Sequence, residues 1–357
     1  MQTWVQNGSL EREIALFLYL QQRGVKVTFL TYGGKQDLNY VQDLQGIHIL
    51  CNYWGLPQKW YERLAPFLHI RALRHVDVIK TNQTNGSDVA LRAAHIWHKP
   101  FIARCGYMWS SLMQSRGRLD AAKHARDIEY TVFTQAQVVV VTTPSMQDYV
   151  IKNYNVPNER IRVIPNYVLT DIFSPEEILP ASNHISFIGR LSEDKNLYSL
   201  IEACENLNVE LHFIGEGHLR ESLRERASEL NVQLILHGVL PHDQLPSLIR
   251  QSAVFVLVSP HEGHPKSLLE AMSCGATVLG ADSPGIREQI VHGETGWLCG
   301  TDSQSIRAGI QHLLSHPELR QKLGANARKF IEENYSLDHI AEMEFSMLQN
   351  IKTGEIE

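Results

Sequence analysis

Two glutamates eight positions apart, Glu262 and Glu270, bracket what reads as the start of a helix. Pro265 suits the first helical position, where its missing N–H costs nothing, and Gly275 suits the stop. A helix N-terminus attracts anions through its unpaired N–H groups. A carboxylate in the loop just ahead of it would repel a phosphate, so the natural partner of Glu262 is a group with hydroxyls to donate. Glu270 lies among Leu268, Leu269, Ala271 and Met272, which half-buries one flank, and a buried carboxylate needs partners. A sugar and a ribose would serve. In isolation such a pair is more often a solvated loop residue and an exposed helix residue, so the surrounding elements decide.

Val254 to Val258 is a continuous apolar, β-branched run of strand length, as expected of a strand buried on both faces of a parallel sheet. A second such run, Thr277 to Gly280, lies one helix further on. The three make a βαβ unit, which points its helix N-terminus at the carboxyl edge of the sheet, where open α/β sheets bind ligands. Glu262-Gly263, then Glu270-Ala271-Met272 and Cys274-Gly275, resembles the E-x7-E signature of the retaining GT-B glycosyltransferases of family 4.

Further matches extend the resemblance over nearly the whole chain. Ile161-Arg162-Val163-Ile164-Pro165-Asn166-Tyr167-Val168 is similar to the family's hinge, with Tyr167 in place of a glycine. After a strand at His184 to Ile188 come Gly189, Arg190 and, five residues on, Lys195; the family places an arginine and a lysine here to grip the donor diphosphate. The physics agrees, since a departing nucleoside diphosphate develops negative charge that fixed cations stabilise. Outside this context the two would be surface charges. Gly215 repeats the strand-then-glycine pattern, weak by itself. The resemblance implies nucleobase contact through backbone groups of Val239, donor-phosphate contact near Gly8, and sugar contact by the loop Gly263-His264-Pro265-Lys266 running into Ser267. That loop departs from the commoner Gly-Phe-Gly-Leu. Cys105-Gly106 stands where many members have a His-Gly pair, and His95 and His98 precede that strand, reading as surface or helix-end residues.

Behind these motifs strands alternate with helices. Val25 to Leu30, Ile47 to Leu50, Val76 to Lys80, Phe101 to Ala103 and Val138 to Thr142 read as strands, and Leu10 to Gln22 and Asp88 to Trp97 as helices. This is the pattern of doubly wound parallel sheets. At 357 residues the chain accommodates two domains: an acceptor domain over 1–173, a donor domain over 174–336, and a last helix within 337–357 crossing back to the first. The Pro-bearing segment Ser174 to Ser182 reads as the boundary. Trp4-Val5 is too short for a full strand, and Gln311 to Tyr335 reads as helical.

Composition narrows the classes. Hydrophobic residues at 43% and charged residues at 20% exclude disordered and collagen-like chains. No apolar stretch approaches the roughly 18 residues of a membrane span, and no signal or lipidation motif is legible, so a cytoplasmic protein is expected. The five cysteines show no metal or redox spacing. Residues 1–167 hold 19 Lys and Arg against 12 Asp and Glu, whereas the remainder holds 14 against 27. A basic half suggests an anionic partner or the inner face of a membrane, or else a solvated basic face. The stretch from Trp109 to Thr134, basic and amphipathic, is a candidate for that contact.

The expected activity is transfer of a sugar from a nucleotide donor, a UDP- or GDP-sugar bound as substrate, to a hydroxyl of a sugar, glycolipid or other acceptor, with retention at the anomeric carbon. Glu262, Arg190 and Lys195 would be catalytic, with Glu262 orienting the sugar. No Asp-x-Asp pair follows a strand, so neither metal nor resident cofactor is expected, and nothing suggests nucleic acid. A non-catalytic two-lobed nucleotide or sugar binder, or an epimerase or phosphorylase on the same fold, are the alternatives.

Overall fold

A computed structural model of the chain describes residues 1–6, 8–176 and 183–354. Twelve strands are found among them, all in parallel sheets. In the first unit β1 (Thr28–Gly34) pairs with β2 (His48–Asn52), and β3 (Ile79–Lys80), β4 (Phe101–Cys105), β5 (Val138–Val141) and β6 (Ile161–Val163) form a second sheet in that order. The second unit holds β7 (His184–Ile188), β8 (Glu210–Ile214), β9 (Gln233–Gly238), β10 (Val254–Leu257), β11 (Val278–Ala281) and β12 (Trp297–Cys299), ordered β12-β11-β10-β7-β8-β9. That order, reversing beside β7 and β10, makes a doubly wound sheet with a switch point at its carboxyl edge.

The central strands are buried because their residues leave no polar face. Val138–Val141 and Val254–Leu257 are buried at every position, as two-sided helix cover requires. Phe187, Phe213, Phe255, Leu268 and Leu269 centre the second core; Phe101, Val132, Phe133, Val139 and Val150 centre the first.

The first unit comprises Met1–Gln6, Glu13–Pro165 and Ile340–Glu357, the second Asn7–Arg12 and Asn166–His339. The division at Pro165 lies ahead of the expected residue 173 for a physical reason. Val168 donates its N–H to the Tyr335 carbonyl at 2.9 Å and accepts from Leu337 N–H at 3.1 Å. Phe173 is fully buried in the second core, and its carbonyl accepts from Ser273 Oγ at 2.6 Å. Of the expected boundary segment, residues 177 to 182 lie outside the described residues.

The last helix, Leu337–Thr353, belongs to the first unit from Ile340 onward, and there it is held by Tyr19 Oη donating to Glu342 at 2.8 Å and by a Lys80–Glu344 ion pair. Two local expectations are corrected. Gln2–Gln6 is helical, not strand-like, with Trp4 packed edge-on against Phe29 at 5.9 Å. The long C-terminal helical region is two helices, Ser303–Ser315 and Pro317–Asn334, separated at His316, whose ψ of 75° lies outside the helical region that proline disfavours in the residue before it.

Candidate active site

In the second unit the loops after β7, β8 and β10 meet at the carboxyl edge. Two glycines allow this. Gly215 has φ +135°, and a Cβ there would stand 2.0 Å from the Gly189 carbonyl oxygen. Gly285, at φ +84°, lies so close to the Glu262 backbone that a Cβ would fall 2.2 Å from its carbonyl oxygen. Glu262 N–H donates to Pro284 O at 3.0 Å, so the Ser283-Pro284-Gly285 turn fixes the loop carrying Glu262.

Lys195 ends a short 3-10 turn, Glu193–Lys195, after β7. The next residue, Asn196, takes a left-handed conformation, φ +57°, and donates to the carbonyls of Val258 at 3.1 Å and Thr301 at 2.7 Å. These bonds hold the turn against the end of β10. Lys195 Nζ thereby reaches Glu262 Oε1 at 2.5 Å, with Asp194 at 3.8 Å. Both members of this pair are mostly shielded, at 15% and 12% exposed. Arg190 is exposed on the loop between β7 and that turn. The arrangement places Arg190, Lys195, Asp194 and Glu262 on loops at one sheet edge, beside the helix Lys266–Ser273 that Pro265 precedes.

Glu270 departs from expectation. It is fully buried, not half-buried, and its Oε1 accepts from Arg12 Nη1 at 2.9 Å and His242 Nε2 at 3.0 Å. Burial pushes its pKa up, but the Arg12 charge and the bond from His242 outweigh this and hold it below the ordinary 4.5. His242 is itself buried against the Phe173 ring at 4.8 Å. Sequence reading missed Arg12 and His242. The signal available was a buried carboxylate in need of partners; nothing local pointed to an arginine 258 positions away.

Gly8 lies against the loop after β9, where its Cβ would meet the Leu240 carbonyl oxygen at 2.9 Å. Val239 in that loop is 45% exposed. His264 is buried, its ring edge-on to Tyr335 at 5.3 Å and its carbonyl accepting from Asn166 Nδ2 at 2.7 Å. Pro265, Lys266 and Ser267 are half-buried at the start of the helix. Tyr167, where the family's hinge has glycine, donates its hydroxyl to the Arg12 carbonyl, so the departure from the motif fastens the segment that supplies Arg12.

In the first unit Cys105 is fully buried, donates to the Tyr107 carbonyl at 3.0 Å, and has its thiol pushed by burial to about 12. It is a core residue and no substitute for a histidine. His95 and His98 are exposed.

Residues 14–171 match the family described as Glycosyltransferase Family 4, and residues 170–330 match that described as Glycosyl transferases group 1. The chain belongs to this glycosyltransferase family. An uncharacterized glycosyltransferase of Methanocaldococcus jannaschii is 27% identical, covering 90% of this chain and 89% of its own. N-acetyl-alpha-D-glucosaminyl L-malate synthase of Bacillus anthracis is 23% identical over 94% and 93%. Sucrose-phosphate synthase from Thermosynechococcus elongatus superposes with a TM-score of 0.85 at 18% identity, covering 96% of this chain and 92% of that one. HepE of Anabaena, solved in complex with UDP and glucose, superposes with a TM-score of 0.78 at 18% identity, over 94% of each chain. The glycosyltransferase fold is therefore GT-B, and among the described residues no helix is long and apolar enough to cross a membrane.

Proposed function

We propose that this glycosyltransferase moves a hexose from a nucleotide-sugar donor to an acceptor hydroxyl, retaining anomeric configuration, in the synthesis of a glycan, polysaccharide or glycolipid. The observation that carries this reading is the Lys195–Glu262 pair at the carboxyl edge of the second sheet, with Arg190 on the adjoining loop. Lys195 and Arg190 neutralise the charge that grows on the departing diphosphate, a role that fixed cations fill without reorganisation. Glu262, held by Lys195, accepts hydrogen bonds from sugar hydroxyls and faces the positive charge that develops at the anomeric carbon. Its pairing to a cation suits orientation rather than nucleophilic attack. Glu270 acts from behind, keeping Arg12, His242 and the loop after β9 in register with the helix start.

The UDP and glucose bound by HepE make uridine nucleotides the first donors to test. Incubation with UDP- and GDP-hexoses plus a panel of sugar and glycolipid acceptors is expected to release nucleoside diphosphate and yield a product whose anomeric coupling matches the donor. Binding without release would support the non-catalytic reading, and inverted product would overturn retention.

A membrane-borne acceptor is favoured by one surface of the first unit. The helix Gln58–Leu68 buries Tyr61 and Ala65 while exposing Trp60, Leu64 and Phe67, at 59%, 36% and 55%. Trp54 and Ile70 are also exposed, as are Lys59, Arg63, Arg71 and Arg74. Aromatic and aliphatic side chains interleaved with cations suit an anionic lipid interface. The stretch from Trp109 to Thr134, expected as such a contact, buries Ala122, Ala125, Val132 and Phe133 and exposes Leu119 and Tyr130, at 69% and 57%.

A further inference from the structure

On the second sheet, at the amino-terminal ends of β7 and β8, a group of side chains lies far from the Lys195–Glu262 edge. His184 opens β7 and stands in register with Glu210, which opens β8; Ser186 stands in register with His212. The side-chain period of two puts all four on one face of the sheet. Glu210 Oε2 is 3.0 Å from His184 Nε2 and 3.5 Å from His212 Nε2. One ligand atom from each of the three residues lies within 4.8 Å of the others. On the far side, His212 Nδ1 is 3.0 Å from His237 Nε2. His237 arrives there through a bulge: Leu236 pairs with Phe213 and Gly238 with Ile214, leaving His237 as the extra residue. Bulges re-aim side chains in this way.

We infer that His184, Glu210 and His212 form a binding site for a divalent transition ion of the zinc class, with His237 as the residue that orients His212. Two imidazoles and a carboxylate make a ligand set for such an ion, leaving a fourth position for water. Ligand atoms about 2.1 Å from a tetrahedral zinc stand roughly 3.4 Å apart, and the distances from Glu210 to the two histidines bracket that spacing. His212 Nε2 is buried and has no hydrogen-bond partner among the described residues. A lone pair without a proton donor is what a ligand offers. His212 Nδ1–H then donates to His237 Nε2, which fixes the tautomer that aims Nε2 at the ion. Ser186 Oγ, buried beside His212 and also without a partner, is placed to bond a metal-bound water. A simple His–Glu network would leave Ser186 Oγ orphaned.

His184 opens β7 and Arg190 lies on the loop beyond its other end, the five-residue strand alone spanning roughly 15 Å, so the ion clips strands together and takes no part in sugar transfer. The full chain, stripped with chelator, is titrated with Zn²⁺ by calorimetry and with Co²⁺ by visible absorption. One equivalent is expected to bind, with the intense d–d bands of tetrahedral cobalt, and to raise the thermal midpoint by roughly 5 °C or more at a hundredfold excess over Kd. His184→Gln and Glu210→Gln should abolish that equivalent, and His237→Gln should weaken it about 10- to 100-fold. Sugar transfer should be the same with and without zinc. Glu210→Gln is near-isosteric, so it reads the site even where a histidine replacement unfolds the chain. Uptake by Glu210→Gln equal to the parent's, or a midpoint that zinc does not move, would overturn the assignment.

Discussion

At the level of single residues, the two glutamates now have different surroundings and predict different losses. Glu262 pairs with Lys195 at the sheet edge, so Glu262→Gln should lower kcat strongly and leave the affinity for the nucleoside diphosphate alone nearly intact. Lys195→Ala and Arg190→Ala should each cost roughly 2–4 kcal/mol of transition-state stabilisation while the chain stays folded; near-normal turnover in both would sink the diphosphate role. Glu270→Gln should weaken diphosphate binding more than Glu262→Gln does, measured by calorimetry, because Arg12 and His242 lose their anchor. Glu270 also predicts a pH dependence. Its pKa is held below 4.5 in the folded chain, so its stabilisation is complete above that value and is lost as pH falls through the folded pKa. The thermal midpoint of the parent should therefore drop faster below pH 4.5 than that of Glu270→Gln, and parallel curves would refute it. Glu262 and Lys195 were legible because each lies in a loop that follows a buried strand, Glu262 beside Gly263 and Lys195 six residues after Gly189. Arg12 and His242 were not, because a charge partner chosen by packing leaves no local pattern.

Among the elements, those that were legible have a period and a punctuation mark. The helix Leu10–Gln22 stops before Gly24, which has φ +84°, and the helix Lys266–Ser273 starts after Pro265 and stops before Gly275, at φ +71°. Gln2–Gln6 offered too few residues for a period, and its helix rests on Trp4 meeting Phe29. The break at His316 was masked by apolar spacing that continues through both helices. Turns carry their own prediction, since glycines with similar φ angles differ in what surrounds them. Gly285→Ala would press a methyl into the Glu262 backbone, whereas Gly293, at φ +76°, has open space. Gly293→Ala should cost only the left-handed penalty of about 1–2 kcal/mol in stability with turnover unchanged. Gly285→Ala should displace Glu262 and reduce kcat at least about tenfold, since an ångström of misplacement is worth that and more. Equal turnover in the two variants would show that the turn does not position Glu262.

Across the whole molecule, charge is divided unevenly: residues 1–167 carry a basic excess, and the rest an acidic excess that sets the net charge of −6. The asymmetry was visible in the sequence, but its location was not. The basic amphipathic stretch Trp109 to Thr134 buries one helical face in the first core and exposes Leu119 and Tyr130 on the other. A second set of exposed apolar side chains lies on the helix Gln58–Leu68 and its flanks, where Trp60, Leu64 and Phe67 share a face at intervals of four and three residues. Apolar insertion and attraction to anionic headgroups would act together there, so their separate removal should be separately visible. Trp60→Ser with Phe67→Ser should reduce sedimentation with vesicles containing phosphatidylglycerol at every salt concentration. Arg63→Gln with Arg71→Gln should reduce it mainly at low ionic strength, because exposed charges are screened beyond about 10 Å at 0.1 M salt. Neither pair lies near the second unit's sheet edge in sequence, so transfer to a soluble acceptor should persist while transfer to a vesicle-borne acceptor falls with binding. Sedimentation equal to the parent's in both double variants would remove this surface as the membrane contact.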